Sequence, residues 1–147
     1  MDVKNYFYRG VCCKIFFYCS QTYPTIEIVL DVHRDYLERD ACQLKPTAVT
    51  DKGKAAQIMF VVGTDAMGLF HPDWRENLSL AVKMQNTLLS TCPKLCRHIN
   101  IRTERFNQHT TKGSMIIEVG SSANTVDEAT LSGEYIASAL ADILKKQ

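Results

Sequence analysis

The sequence predicts an α/β fold in which a mainly parallel sheet is flanked by helices. Short runs rich in valine and isoleucine alternate along the chain with longer segments whose apolar residues recur every three or four positions. Strands that alternate with amphipathic helices in this way are typical of α/β domains. The chain has 147 residues, of which 46% are hydrophobic, so it is long enough to bury one sizeable core.

The predicted strands are short apolar runs bounded by turn residues. "TIEIVLDVH" at residues 25–33, "IMFVV" at 58–62 and "MIIEV" at 115–119 are expected to be neighbouring strands of one sheet, with "HINIR" at 98–102 as a shorter fourth strand. Gly53 lies between two β-prone runs, which predicts a hairpin. The segment "YLERDACQ" at residues 36–43 is predicted to be a short helical turn.

Two longer segments are predicted to be helices that pack on the sheet. The first follows Pro72 and stops at Pro93, since proline suits the first turn of a helix and ends a later one. The second begins with a capping box formed by Thr125 and Glu128. Its apolar spacing predicts one buried face, made of Val126, Ala129, Gly133, Ile136, Leu140 and Ile143.

Composition and charge exclude several classes of function. A net charge of +1 without a clustered basic stripe argues against a nucleic-acid partner. The six cysteines lack paired CxxC spacing, so we expect free thiols rather than a structural zinc module. No apolar run approaches the roughly 18 residues that a membrane span needs. The run at residues 10–19, "GVCCKIFFYC", is compatible with a weak secretory signal or a buried strand.

The chemistry-bearing residues follow two of the predicted strands. In "LDVHRD", strand alternation places Asp31 and His33 on one face, and histidine is the commonest zinc ligand. Glu118 interrupts the apolar run "SMIIEVGS", either as a solvated carboxylate at the strand end or as part of a site. Because sites in parallel sheets lie beyond the carboxyl ends of strands, both residues are expected near one such sheet edge, which favours the functional interpretation of Glu118.

A second polar cluster, "RFNQH", precedes the strand that carries Glu118. Arg105, Asn107, Gln108 and His109 form either a solvated loop or the rim of a substrate site. The remaining histidines, His71 and His98, have no supporting partners in the sequence, and we interpret them as structural.

Five motifs resemble those of one protein family and occur in the same order. "VLDVHRD", "IMFVVGTD", "HPDWRENL", "RFNQH" and "IIEVGSSANTVDEA" are similar to segments of the stage II sporulation protein P family, which belongs to the zinc-dependent N-acetylmuramoyl-L-alanine amidases. The resemblance covers roughly residues 23–146. Five motifs in order are far more specific than any one of them.

The resemblance implies a peptidoglycan hydrolase that acts in engulfment during sporulation. Such amidases hold Zn²⁺ with two histidines and a glutamate, and a second glutamate works beside the metal. His33 corresponds to a zinc ligand and Glu118 to the general base that activates water to cleave the amide between N-acetylmuramic acid and L-alanine. Arg105, Asn107, Gln108 and His109 are expected to shape the site or contact the glycan-peptide strand. Expected partners are peptidoglycan and other engulfment proteins, outside the cytoplasmic membrane at the sporulation septum.

The sequence departs from the family pattern at its start. The family carries its first zinc histidine and its glutamate ligand upstream, in a region of the type "HTHxxES", whereas residues 1–22 contain no histidine and only one carboxylate, Asp2. We therefore expect residues 1–22 to be an unmatched segment from a truncated or frameshifted start. Residues 23–147 then form an amidase-like domain without its first strand-loop region. His109 is the one substitute ligand we consider, and the alternative function is a catalytically inactive domain that binds peptidoglycan or a partner protein.

Overall fold

A computed structural model gives the fold and describes residues 15, 18, 19 and 21–145. Most of the expected unmatched segment 1–22, and most of the run at residues 10–19, lies outside these residues. The strands are β1 (Ile28–Asp35), β2 (Glu38–Arg39), β3 (Cys42–Gln43), β4 (Thr47–Thr50), β5 (Gly53–Ala56), β6 (Ile58–Gly63), β7 (Asn100–Arg102) and β8 (Gly113–Ser121). The helices are α1 (Trp74–Thr91) and α2 (Val126–Leu144), and a 3₁₀ turn spans Gln108–Thr110.

The central sheet has four strands in the order β1-β8-β6-β7. β1 runs parallel to β8 and β6 runs parallel to β7, whereas β6 and β8 are antiparallel. The mainly parallel sheet is therefore confirmed, as is the expectation that the three longest runs are neighbours in one sheet. The single antiparallel pair means that the carboxyl ends of β1 and β8 meet at one edge, while those of β6 and β7 meet at the opposite edge.

The two long helices pack on the same face of this sheet. The core residues that β6 and β8 contribute alternate along each strand, so they point to one side: Ile58, Phe60, Val62, Met115, Ile117 and Val119. Ala81, Met84 and Leu88 of α1 and Tyr135, Ile136, Ala139 and Ile143 of α2 complete this core. The opposite face of the sheet carries the other alternation set, which includes Asp31, His33 and Glu118.

The segment at residues 36–43 is not helical, so that prediction is wrong. It forms a hairpin in which β2 pairs antiparallel with β3. The two residues of its turn, Asp40 and Ala41, have φ angles of 51° and 60°. Positive φ at both central positions is the geometry of a type I′ turn, whose twist matches that of paired strands. The hairpin expected around Gly53 is confirmed as the antiparallel pair β4–β5.

Helix α2 has the expected capping box and buries part of the face that its apolar spacing predicts, since Ile136 and Ile143 lie in the core and Ala129 and Leu140 pack against it. Val126 is 81% exposed, while Ser132 and Tyr135 are buried. These polar side chains find partners in the β4–β5 hairpin region: Ser132 Oγ donates to the carbonyl of Ala56 at 2.7 Å, and the Tyr135 hydroxyl donates to Asp51. A hydrogen-bonded hydroxyl costs little to bury, so hydrophobicity alone did not predict that Ser132 and Tyr135 extend the buried face. Within the described residues, neither α1 nor α2 is apolar enough over its length to cross a bilayer.

Glu128 ties the start of α2 to the loop before β4. Its carboxylate accepts from the backbone N–H of Thr125 and from Asn124 Nδ2, each at 3.0 Å, and pairs with Lys45 Nζ at 2.9 Å. Burial by itself raises the pKa of Glu128, but these three donors outweigh it and lower the pKa to about 2. Glu128 is therefore ionised and fully engaged at neutral pH.

We predict that Glu128→Ala lowers the free energy of unfolding at pH 7 by about 2 kcal/mol, because it removes the ion pair with Lys45 and the carboxylate half of the capping box, while Thr125 still caps the helix. Urea denaturation measures this change. Glu134→Ala is the matched control, since Glu134 lies on the same helix with its side chain exposed, 3.5 Å from Lys52. It should change stability by less than about 0.5 kcal/mol, and equal losses in both variants would contradict the assignment.

Candidate functional site

His33 and Glu118 are opposite each other in the sheet. The parallel pairing of β1 with β8 makes them direct register partners, so their side chains leave the same face at the same level. His33 Nε2 lies 2.8 Å from Asp31 Oδ1, and the histidine side chain is half exposed. The structure thus brings together, at the carboxyl ends of two strands, the two residues that were expected to share one sheet edge.

Glu118 is a carboxylate in an unfavourable environment. Its Oε2 atom is buried and has no hydrogen-bond partner within the described residues. Burial raises the pKa of Glu118, and the nearby Asp35 raises it further, while His33 and Arg97 act in the opposite direction. A carboxyl group with a raised pKa and an unpaired oxygen beside a histidine has the properties of a general base.

Arg97 and Asp35 complete the charged cluster around Glu118. Arg97 Nη1 donates to Asp35 Oδ2 at 2.8 Å, and both side chains are mostly buried. The backbone N–H of Arg97 donates to the carbonyl of Ile58 at 2.7 Å, which fixes this arginine at the start of β6. Sequence reasoning missed Arg97, because it lies 62 positions from its partner and in no motif.

The "RFNQH" segment divides between three environments. Gln108 is only 3% exposed, and its amide bridges β6: Oε1 accepts from the N–H of Gly63 at 2.8 Å, and Nε2 donates to the carbonyl of Val61 at 2.9 Å. This side chain is an internal strut. Asn107 lines a small cleft with Val29 and Asp31, on the face that carries His33.

Arg105 and His109 point to the start of α1 instead. Arg105 Nη1 donates to the carbonyl of Phe70 at 3.0 Å. Burial lowers the pKa of His109, and the neighbouring Arg105 and His71 lower it further. His109 is thus near His71 and Arg105, and the residues that the structure describes contain no group of three or more His, Cys, Asp or Glu side chains that could hold a metal. The idea that His109 substitutes for a missing zinc ligand gains no support.

His33 and Glu118 nevertheless fit part of a zinc site. Because Nε2 of His33 faces Asp31, its Nδ1 remains available to a metal, and a carboxylate on the other ring nitrogen is the usual partner of a metal-bound histidine. The unpaired Oε2 of Glu118 is a further oxygen at the same edge. Among the described residues, one histidine and one carboxylate could therefore contribute to such a site, and a closed tetrahedral site would need further ligands.

A comparison with protein families decides the affiliation. The model of stage II sporulation protein P (SpoIIP) matches residues 18–141, which is most of the chain. The chain belongs to the SpoIIP family. The match begins five positions before Tyr23, where the resemblance was expected to start. Comparisons with curated proteins and with solved structures gave no match.

We predict that Gln108→Ala in this SpoIIP-family chain lowers the free energy of unfolding by about 3 kcal/mol, because two buried backbone groups of β6 lose their partners. Thermal and urea denaturation measure the loss. Asn107→Ala is the control: it truncates a neighbouring amide whose side chain makes no hydrogen bond in the described structure, and stability should hardly change. If Gln108→Ala were as stable as the control, Gln108 would not be a strut.

We predict that Glu118→Gln is more stable than the wild type at pH 7 in buffer with a metal chelator. A group whose pKa is raised by folding destabilises the folded state at any pH above its folded pKa, and glutamine removes that charge. The advantage should vanish below about pH 4.5, the ordinary pKa of glutamate, where both states of the wild type are protonated. Denaturation curves at several pH values measure it, and a less stable variant at pH 7 would show that the carboxylate is well paired.

Proposed function

We propose that this chain carries the hydrolytic site of a peptidoglycan amidase that cleaves the bond between N-acetylmuramic acid and L-alanine. Membership of the SpoIIP family associates it with sporulation. One observation supports the amidase assignment most directly: the carboxylate of Glu118, with an unpaired buried oxygen, is the register partner of His33. A structural carboxylate would be expected to find a partner for that oxygen.

Glu118 is the proton carrier in this proposal. It takes a proton from the attacking water, whose oxygen forms a bond to the carbonyl carbon of the lactyl group. The proton then passes from Glu118 to the amide nitrogen, so that the carbon–nitrogen bond breaks and L-alanine leaves with a free amino group. The raised pKa of Glu118, caused first by burial and then by Asp35, makes the carboxyl a better proton acceptor for this step.

His33 is proposed as the metal ligand, with Asp31 holding its ring in place through the 2.8 Å contact. Zinc, when bound, would act as a Lewis acid toward water and the substrate carbonyl. Arg97 neutralises Asp35 beside the base. Asn107, in the cleft beside Asp31, is the polar side chain of "RFNQH" nearest this face, and we propose that it contacts the glycan-peptide strand.

A second candidate function is an inactive domain that binds peptidoglycan or another engulfment protein. The sequence favours this inactive domain in one respect. Residues 1–22 lack the "HTHxxES" type of segment, which in the amidases that this chain resembles supplies the two zinc ligands other than the His33 equivalent. The two candidates differ in bound zinc and in turnover, and both can be measured on the purified chain.

We predict that hydrolysis appears when a segment of the "HTHxxES" type is fused before Tyr23 and zinc is supplied. Stem peptides released from cell-wall sacculi and zinc content by mass spectrometry are the two measurements. Glu118→Gln should reduce release by at least about 10²-fold with zinc retained, because it removes the base and keeps the shape. His33→Ala should instead reduce bound zinc.

Matched controls separate these effects from general damage. Glu76→Gln changes an exposed carboxylate at the start of α1, and His98→Ala changes an exposed histidine, so neither should alter zinc content or release. If the fused protein bound sacculi but neither held zinc nor released peptides, the inactive binding domain would be the correct function. Full activity in Glu118→Gln would refute the role of Glu118.

A further inference from the structure

A second cluster of polar side chains lies at the other end of the sheet, between two segments that are clamped together. Residues 70–77, which lead into the first turn of α1, are joined to the "RFNQH" loop by two hydrogen bonds. Arg105 Nη1 donates to the carbonyl of Phe70 at 3.0 Å, and Asn77 Nδ2 donates to the carbonyl of Gln108 at 2.8 Å. His71 and Trp74 lie on the stretch between these two hydrogen bonds, and His109 directly follows Gln108. Because Gln108 is anchored to the end of β6, the cluster belongs to the edge opposite His33 and Glu118.

This cluster contains an unusual concentration of hydrogen-bonding atoms without partners. In the described part of the chain, nine buried side-chain nitrogens and oxygens have none, and five of them are here: both ring nitrogens of His71, Trp74 Nε1, Arg105 Nε and His109 Nδ1. His71 is only 1% exposed, so neither of its nitrogens is satisfied by bulk water. Buried polar atoms are normally paired, and such a group in one place indicates a missing partner.

The chemistry of these atoms indicates what that partner is. Burial and the charge of Arg105 lower the pKa of both histidines, so each ring is neutral at pH 7 and offers one donor and one acceptor. Trp74 Nε1 and Arg105 Nε only donate. A metal ion is disfavoured by Arg105. An anion is disfavoured by the carboxylates of Asp65 and Asp73, whose negative charge acts to raise the pKa of His71. Hydroxyl and amide groups, which are neutral and both donate and accept, fit the mixture.

The rim of the cluster supplies an apolar surface of the kind that sugars use. Phe70 is 78% exposed, and Met67 and Leu69 beside it are more than half exposed, so three large apolar side chains face solvent next to the unpaired nitrogens. Trp74, Arg105 and His109 are partly exposed, so these three side chains reach the surface although their unpaired nitrogens are themselves buried. Exposed apolar groups beside convergent polar groups are typical of a ligand site.

We propose that Phe70, His71, Trp74, Arg105 and His109 form a glycan-binding subsite that holds the N-acetylated sugar chain of the substrate, away from the reacting amide. The proposal rests on the proposed function, because it names the part of the glycan-peptide strand that this second site takes. Phe70 would contact an apolar sugar face. The ring nitrogens, Trp74 Nε1 and Arg105 Nε are buried in the free chain, and they would bind hydroxyl and acetamido groups once side chains at the rim move aside.

Trp74 is the only tryptophan in the chain, so its fluorescence reports directly on this site. The experiment titrates the full chain with a peptide-free tetrasaccharide of β-1,4-linked N-acetylglucosamine and follows the emission of Trp74. We expect a saturable change in the wild type. Phe70→Ala and Arg105→Gln should each weaken binding by about tenfold or more. Arg102→Gln is the matched control, since Arg102 is an exposed arginine paired with Glu104, and it should bind as the wild type does.

Three results would overturn the proposal. The first is no saturable change in emission together with no heat of binding at millimolar tetrasaccharide. The second is unchanged affinity in both Phe70→Ala and Arg105→Gln, which would put the sugar elsewhere. The third is binding of a free stem peptide but not of the tetrasaccharide. Because the tetrasaccharide has no scissile amide, its binding is measured independently of turnover. Glycan binding by the chain together with no release of stem peptides by the zinc-supplied fusion would refute the proposed amidase function alone, and release by the fusion without glycan binding would refute the subsite alone.

Discussion

The proposed active site depends on the register between β1 and β8. Parallel pairing sets His33 directly opposite Glu118, and it also sets Leu30 opposite Met115 and Val32 opposite Ile117 on the other face. A shift by one residue would turn the carboxylate toward the helices and an apolar side chain toward solvent. The buried side chains of Met115 and Ile117 therefore fix the register that places His33 opposite Glu118. Core packing on one face of the sheet thus sets the geometry of the proposed site on the other face.

The antiparallel entry of β6 has a comparable consequence. Because β6 runs against β8, its first residues reach the edge where His33 and Glu118 lie, and its last residues reach the opposite edge. At the first end of β6, the backbone N–H of Arg97 donates a hydrogen bond to the carbonyl of Ile58. At the last end, the side-chain amide of Gln108 hydrogen-bonds to the backbone of Gly63 and Val61. One strand thus organises both polar clusters, while α1 and α2 cover the face that carries neither His33 nor Glu118.

Both clusters are places where the chain leaves polar atoms unsatisfied. Glu118 Oε2 and Arg97 Nε lack partners at one edge, and His71, Trp74, Arg105 and His109 contribute five such atoms at the other. Among the other described residues only Gln85 Oε1 and Ser122 Oγ are buried without a partner, and the carboxylate of Glu128 has three donors. Unpaired buried atoms cost stability, so their concentration at two edges of the sheet is the expected mark of surfaces that bind ligands.

The sequence by itself determined the elements that depend on local chemistry. The apolar runs around β1, β6 and β8, the hairpin at Gly53 and the capping box of Thr125 and Glu128 all follow from neighbouring residues, and the structure confirms them. The order of five motifs also indicated the family. His33 and Glu118 could be placed at one edge, because residues at the ends of parallel strands converge.

Only the tertiary structure decided what depends on distant partners. The predicted buried face of α2 was only partly correct, because Ser132 and Tyr135 are also buried through hydrogen bonds to the carbonyl of Ala56 and to Asp51, far along the chain. Arg97 joins the site through Asp35, and Gln108 is a strut because β6 offers it two backbone groups. The hairpin at residues 36–43 requires positive φ at Asp40 and Ala41, a conformation that alanine rarely adopts, so local propensity could not predict it. Spacing and propensity report on neighbours along the chain, whereas burial and pairing are set by contacts that form only when the sheet closes.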